Sequence, residues 1–276
     1  MFDSPADVSA RLAAAGYLSD DSIATSVYLA AALGKPLLAE GPAGVGKTQL
    51  AKAVAEATGA RLVRLQCYEG LDEARALYEW NYKKQLLRIQ ATSTDEDIFG
   101  EEFLLERPLL KAVRATEPTV LLIDETDKAD VEVEGLLLEL LSDFQVTIPE
   151  LGTIVAARRP YVVLTSNATR ELSEALKRRC LYLHIAYPTP ERERDIVLSQ
   201  VPTIRADLAE QLARTVATLR ALELKKAPSV AETVDWARTL LALGRDELDE
   251  ETVSATLGVV LKHHSDQVRV AKELGL

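Results

Sequence analysis

The sequence predicts an α/β protein: a parallel sheet with helices on both faces, followed by a small helical domain. Three observations predict it. Short apolar runs alternate with helical stretches from residue 36 to residue 185. The run Thr119-Val120-Leu121-Leu122-Ile123-Asp124 is almost wholly apolar, as a strand covered on both faces must be. After Tyr187-Pro188-Thr189-Pro190 the strand pattern stops and only helical patterns remain, so the two prolines mark a boundary. The domains are therefore expected at 1–188 and 189–276.

The elements follow in order. Ser4-Pro5 is a cap and first-turn signal for a helix that Gly16 ends, and Ser19, Asp20 and Asp21 open a second that runs to Gly34. Strands are expected at 36–40, 61–67, 119–124, 160–166 and 181–185, with helices over 47–58 and 131–144. The stretch 71–100 breaks this rhythm: it is polar, carries Glu79-Trp80-Asn81-Tyr82 and ends in Thr94-Asp95-Glu96-Asp97, and it reads as an insertion between core elements. A hairpin is expected at 145–155, with Pro149 and Gly152 at its bend. Helices are expected over 190–200, 205–222, 229–243 and 249–264. With 47% hydrophobic residues but only 5% aromatic, the core must be built mainly of Leu, Val, Ile and Ala, which suits helices on a parallel sheet.

Composition also excludes functions. The net charge of the 276 residues is −11, and the basic clusters are short, so a surface that grips nucleic acid by neutralising phosphates is not expected. Cys67 and Cys180 are far apart with no paired spacing, which argues against a disulfide framework or a structural zinc site and for ordinary buried thiols. No apolar run of about 20 residues and no charged-then-apolar leader is seen. The expected setting is the cytoplasm, with no membrane contact.

The chemistry is carried by four features. Gly41-Pro42-Ala43-Gly44-Val45-Gly46-Lys47-Thr48 matches the phosphate-binding pattern Gly-x-x-x-x-Gly-Lys-Thr between a strand and a helix. Its glycines let successive backbone N–H groups point at phosphates, and the following helix presents its positive end to the same charge. Lys47 is expected to reach the β- and γ-phosphates, and Thr48 to place its hydroxyl on Mg²⁺. Asp124 and Glu125 end an apolar strand; Asp124 would hold Mg²⁺ through water, and Glu125 would activate the attacking water. Asn167 closes the next strand, where its amide would face the γ-phosphate. Leu176-Lys177-Arg178-Arg179-Cys180 places basic residues at a helix end, where dipole stabilisation alone would favour them; the functional reading is an arginine finger inserted into a neighbouring subunit.

With these features in order, the chain resembles the AAA+ ATPases and, more narrowly, the MoxR family. The resemblance extends over nearly the whole chain. Asp124-Glu125 is similar to the Walker B pair and Asn167 to sensor 1. Arg179 stands at the place of the family's finger, with Arg178 as its rival. The segment 71–100 resembles a helix-2 insert, and 145–155 a pre-sensor hairpin. The segments Leu65-Gln66-Cys67-Tyr68-Glu69-Gly70, Tyr78-Glu79-Trp80-Asn81-Tyr82 and Leu176-Lys177-Arg178-Arg179-Cys180-Leu181-Tyr182 resemble the branch linked to maturation of molybdenum- and copper-containing carbon monoxide dehydrogenase. The resemblance implies ATP and Mg²⁺ as cofactors, a hexameric homo-oligomer, a C-terminal helical lid, a von Willebrand A domain partner and a metalloenzyme client.

One departure stands out. The sensor 2 arginine of the family falls on Ala231 in Lys225-Lys226-Ala227-Pro228-Ser229-Val230-Ala231-Glu232, so either Lys225 or Lys226 substitutes or the lid couples more weakly to nucleotide. Asp127-Lys128-Ala129-Asp130 lacks the Asn of a guanine-reading motif and reads as a solvated turn, which favours ATP over GTP. His263-His264 reads as a surface pair, since adjacent helix residues diverge. Trp80 and Tyr82 are read either as contacts to a partner or as cover for the insertion's own core. A DNA-acting motor, a small-molecule kinase and a nucleotide-gated scaffold without essential turnover are the alternative functions.

Overall fold

The computed structural model describes residues 1–91 and 98–274. Two compact units form. The first comprises Met1–Ala15, Ser19–Glu40 and Thr48–His184; the second comprises Gly16–Leu18, Gly41–Lys47 and the chain from Ile185 onward.

In chain order the first part of the fold runs α1 (Pro5–Ala14), α2 (Asp21–Leu33), β1 (Leu37–Glu40), α3 (Lys47–Thr58) and β2 (Arg61–Gln66). The hydroxyl of Ser4 caps α1 by accepting from the Asp7 amide at 3.1 Å, and Asp20 caps α2 by accepting from the Ile23 amide at 2.8 Å. Next come α4 (Glu73–Ala76), β3 (Tyr78–Trp80), α5 (Tyr82–Ala91), β4 (Leu104–Glu106), α6 (Pro108–Arg114), β5 (Thr119–Asp124) and α7 (Val131–Asp143). The hairpin β6 (Gln145–Ile148) and β7 (Gly152–Val155), then β8 (Tyr161–Ser166), α8 (Glu174–Lys177) and β9 (Leu181–His184) complete the sheet-bearing region.

The main sheet has the order β2-β5-β8-β1-β9 and every pair in it is parallel. Register aligns Leu65, Ile123, Leu164 and Leu38 in one row across four strands. These four belong to one apolar cluster with Leu109, Leu110, Leu137 and Leu140 of α6 and α7. Their neighbours Leu37, Leu122 and Val163 point the other way, by the two-residue period of a strand, and are fully buried too. Both faces are thus covered, which is why β5 and β8 can be apolar along their length. The same register leaves the polar residues Gln66, Asp124 and Thr165 at the carboxyl ends of β2, β5 and β8.

The insertion differs from its expected limits. Strand β3 pairs antiparallel with β4, with Tyr78 opposite Glu106 and Trp80 opposite Leu104, so the segment closes beyond Gly100. Trp80 is buried, with Tyr78 and Phe99 set edge-on to its ring at 5.9 and 5.4 Å. It belongs to the same apolar cluster as Leu65, Ile123 and Leu137, so it packs into the core of the sheet and not into a core of the insertion's own, whereas Tyr82 is exposed on α5 with Leu86, Leu87 and Ile89. The expected acidic end, Thr94 to Asp97, lies outside the described residues. The 145–155 hairpin forms as expected, with Gly152 at φ 78° in its turn.

The second unit contains the helices α9 (Pro190–Gln200), α10 (Ala206–Ala221), α11 (Val230–Ala242), α12 (Glu250–Val260) and α13 (His264–Leu274). The stretch expected as one helix over 249–264 is two elements: Leu261 is extended at φ −110° and ψ 113°, and α13 starts afresh at His264. No glycine or proline marks that break. Leu208, Leu212, Val216, Trp236, Leu240 and Val260 form the unit's core, and the Trp236 indole donates to Thr256 Oγ1 at 2.7 Å. Among the described residues of the unit, the buried ion pair is that of Glu193 with Arg220. Arg220 donates to both carboxylate oxygens at 2.5 and 2.8 Å, Thr233 donates to Glu193 at 2.6 Å, and the Tyr187 ring lies 4.4 Å from the guanidinium.

Because Glu193 is fully buried, removing it strands the charge of Arg220. The Glu193→Ala substitution is expected to destabilise by about 3–5 kcal/mol, measured by urea unfolding followed by tryptophan fluorescence. A loss within the range of ordinary surface substitutions would show that the pair carries no such burden.

Candidate active site

The loop after β1 is shaped by backbone positions that only glycine can fill. Gly41 has φ 154°, and a Cβ there would lie 2.0 Å from the Ile185 carbonyl oxygen. Gly44 has φ 75°, and a Cβ there would lie 2.3 Å from the Ser229 side chain. Val45 is buried and anchors the loop, while Ala43 and Gly44 are exposed and Pro42 and Gly46 half-buried. Lys47, the first residue of α3, is only 6% exposed, and its Nζ donates to the carbonyls of Gly41 at 2.7 Å and Pro42 at 2.6 Å. The loop thus holds its own ammonium close to its backbone. A helix N-terminus behind such a loop is a ready anion site.

Thr48 begins the chemistry at the sheet edge. Its hydroxyl donates to Asp124 Oδ1 at 2.9 Å, and the Thr165 hydroxyl donates to the same oxygen at 2.5 Å. Asp124 Oδ2 accepts from Arg64 Nε at 3.1 Å and Nη2 at 2.6 Å. Asp124 is 2% exposed, so these donors compensate a buried charge. Glu125 sits in the left-handed region at φ 55°, a conformation that costs a non-glycine residue of the order of 1 kcal/mol. Its amide donates to Thr165 Oγ1 at 2.9 Å, so one hydroxyl links both acids. Its carboxylate accepts from Gln66 Nε2 at 3.0 Å and Lys128 Nζ at 2.7 Å. The hydrogen bond with Glu125 holds the Lys128 ammonium above its ordinary pKa.

The turn after Glu125 corrects the sequence reading. Asp127 was expected in a solvated turn, yet it is 3% exposed. Burial opposes its charge, but the hydroxyl and amide of Thr169, at 2.5 and 3.0 Å, outweigh that and keep its carboxyl below the usual range. Asp127 thereby ties the Glu125 turn to the segment after β8. Asn167 opens that segment, half-buried, and Ala168 behind it has φ 56°. Arg170 continues the link, donating to the Ala129 carbonyl at 2.6 Å and to buried Glu134, which also accepts from the Ser173 amide that starts α8.

At the end of α8 the two arginines differ. Arg179 donates to Ser142 Oγ and, at 2.7 Å, to the Ala175 carbonyl. Arg178 is exposed, and its guanidinium makes no hydrogen bond or ion pair among the described residues. In the second unit, Lys226 Nζ lies 3.6 Å from Glu232, Asp266 accepts from the backbone amides of Lys225 and Lys226, and Ala231 is exposed.

The first unit therefore brings Thr48, Asp124 and Glu125 together with Arg64, Gln66, Thr165 and Lys128, to which the sequence reading gave no role in the site. The alternation of Arg64 and Gln66 with buried Val63 and Leu65 was the available signal; it gives the shared face but not the partner. The hard oxygen donors of Thr48 and Asp124 fit a magnesium ion, and the exposed loop at Ala43 and Gly44, ahead of the N-terminus of α3, fits an anion. Among the described residues no cluster of three His, Cys, Asp or Glu is placed to hold a metal, and no helix is long and apolar enough to cross a membrane.

Comparison with known proteins places this geometry. Residues 36–180, more than half of the chain, match the family described as AAA domain (dynein-related subfamily). An uncharacterized protein of Staphylococcus haemolyticus is 26% identical over 232 residues, 82% of each chain, and one of Staphylococcus aureus shows the same identity and coverage. Two single-substitution variants of Thermotoga maritima RuvB share the fold: one at TM-score 0.51 and 18% identity, covering 94% of this chain and 70% of that one. The other, at 0.50 and 19%, covers 94% and 71%.

Cys67, which follows Gln66, supplies a test of the packing beside the acids. Burial, then the charges of Asp124, Asp127 and Glu125, push its thiol up to about 12, and burial does the same for half-buried Cys180. A raised thiol pKa leaves the unreactive protonated form at neutral and mildly alkaline pH. Iodoacetamide is expected to label neither cysteine of the native protein there and both after denaturation, as read by mass spectrometry. Rapid native labelling of Cys67 would show that the edge beside the acids is open.

Proposed function

Because the chain belongs to the dynein-related subfamily of AAA domains, we propose that it is a magnesium-dependent ATPase of the MoxR type. It works as a homo-oligomer, a hexamer, on a metalloenzyme client such as a molybdenum-copper carbon monoxide dehydrogenase, with a von Willebrand A domain protein as partner, in the cytoplasm. Residues 1–188 serve as the nucleotide domain and 189–276 as its lid. The observation that carries the reading is the 2.9 Å contact between the Thr48 hydroxyl and the Asp124 carboxylate, which joins the last residue of the phosphate-loop motif to the acid that ends β5.

The roles follow from chemistry. The backbone N–H groups of residues 43–48 hold the phosphates, and Lys47 exchanges its carbonyl partners for phosphate oxygens. Thr48 and Asp124 would hold Mg²⁺, which would supply positive charge against the phosphates. Glu125, kept in place by Gln66 and Lys128, accepts the proton of the attacking water. Asn167 orients that water. An arginine from a neighbouring subunit stabilises the charge that develops on the transferred group. Arg179 is the residue the resemblance assigns; the freedom of the Arg178 guanidinium favours that residue as the one offered across the interface.

Two measurements test this. The Glu125→Gln variant is expected to bind ATP normally while turnover falls about a hundredfold or more, the scale of a lost general base; unchanged turnover would remove Glu125 from that role. Specific ATPase activity of the native chain is expected to rise with protein concentration. Arg178→Ala is expected to abolish that rise, with Arg179→Ala doing less. The reverse order would return the finger to Arg179, and activity independent of concentration would remove a trans-acting residue altogether.

A further inference from the structure

Asp124 has no acceptor site left for a metal. A carboxylate offers about four lone-pair positions. Here Oδ1 takes the hydroxyls of Thr48 and Thr165, and Oδ2 takes Nε and Nη2 of Arg64. An incoming cation, or a water bound to it, must free at least one of them. Thr165 is 1% exposed and also accepts from the Glu125 amide, so it is pinned from two sides. Thr48 is fixed by its place in the first turn of α3. The Arg64 side chain is 46% exposed while the Asp124 side chain is 3% exposed. Among the described residues that hold Asp124, Arg64 alone has solvent to move into, although its Nη2 also donates to Gln66 Oε1.

The geometry points to Arg64 as a displaceable counter-ion that occupies Asp124 in place of the divalent cation and gives way when that cation arrives. It rests on the reading of Thr48 and Asp124 as magnesium partners. The physical cause is charge. A buried carboxylate without a partner is costly, so Asp124 calls for a cation among its own neighbours. A guanidinium supplies one positive charge in fork geometry on a planar anion. A divalent ion beside Asp124 would be repelled by a guanidinium left in contact, so the two exclude one another. Because the two exclude one another, weakening the Arg64 contact strengthens cation binding, by at most the factor by which the contact is weakened. Arg64 is a positioning residue in this scheme: it acts through Asp124 and leaves before the chemistry. The consequence for the cycle is that divalent ions alone bind poorly, and the site opens to a cation delivered with nucleotide, whose phosphates add the missing attraction.

Binding of manganese(II), used as a paramagnetic stand-in for magnesium, reads this directly. It is titrated into the nucleotide-free full chain and the free ion is followed by electron paramagnetic resonance. Arg64→Ala and Arg64→Gln are expected to bind Mn²⁺ about tenfold more tightly than the native chain, the size of an ordinary coupling between two ligands of one site. Arg64→Lys keeps the charge and is expected to stay near the native affinity, which a merely structural role would not produce. Adding Asp124→Asn to Arg64→Ala should erase the gain. Thermal unfolding of each variant identifies any that fail to fold, and the Gln variant preserves the test should the Ala variant be lost. If folded Arg64 variants bind Mn²⁺ no better than the native chain while Asp124→Asn weakens binding, the counter-ion proposal is overturned and the metal site stands. If Asp124→Asn has no effect in either background, the reading of Asp124 as a metal partner fails and the proposal falls with it.

Discussion

A single buried carboxylate organises the carboxyl edge of the sheet. Asp124 ends a strand whose six residues are all buried, and leaving its charge unpartnered there would cost several kcal/mol. Three neighbouring elements are therefore obliged to supply donors. Helix α3 supplies Thr48 from its first turn, strand β8 supplies Thr165 one residue before its end, and edge strand β2 supplies Arg64. Removing the acid would leave these donors without a common acceptor; removing one donor would shift the load onto the others. The parallel register that puts Gln66 level with Asp124 is set by the apolar row of Leu65, Ile123, Leu164 and Leu38 one residue earlier. Packing of that row and electrostatics of the edge are therefore one problem solved together.

The turn that follows is where order is gained against local preference. Glu125 and Ala168 both sit in the left-handed region without being glycine. Neither conformation is stable by itself, and each is fixed by bonds from the other side: the Glu125 amide to Thr165, and the Thr169 hydroxyl and amide to Asp127. The two strained turns thus brace one another across the ends of β5 and β8. The arrangement keeps the Glu125 carboxylate in one place, between Gln66 and Lys128, and a fixed acid is what proton abstraction in a defined direction requires.

Much of this architecture was legible because its causes are local. The apolar run ending in Asp124, the Gly-rich loop spacing and the 145–155 hairpin each declare themselves within a dozen residues, and each formed where expected. The elements that escaped have non-local or weak causes. Strand β4 is three residues, Leu104-Leu105-Glu106, and exists because β3 needs a partner. The start of α13 has no glycine or proline before it; Lys262 and His263 look like continuing helix. Asp127 read as solvated because an acid in a turn usually is, and its burial depends on Thr169, 42 residues away in sequence. Arg64 and Gln66 were visible as polar alternation, but strand register decides which acid each one meets, and register is a property of the whole sheet.

The position of β2 gives Arg64 a second meaning. It is the outermost strand of the sheet, with one row of backbone donors and acceptors turned away from β5. Such an edge invites another chain to add a strand, and charged side chains are a common defence against it. Arg61 and Arg64 both stand exposed on this strand, Arg61 paired with Glu117 at 2.9 Å. The side chain that neutralises the inner acid thus stands, with its charge, on the strand where another chain would add. Solubility and site chemistry are written into one position, and a change that suits one of them is felt by the other.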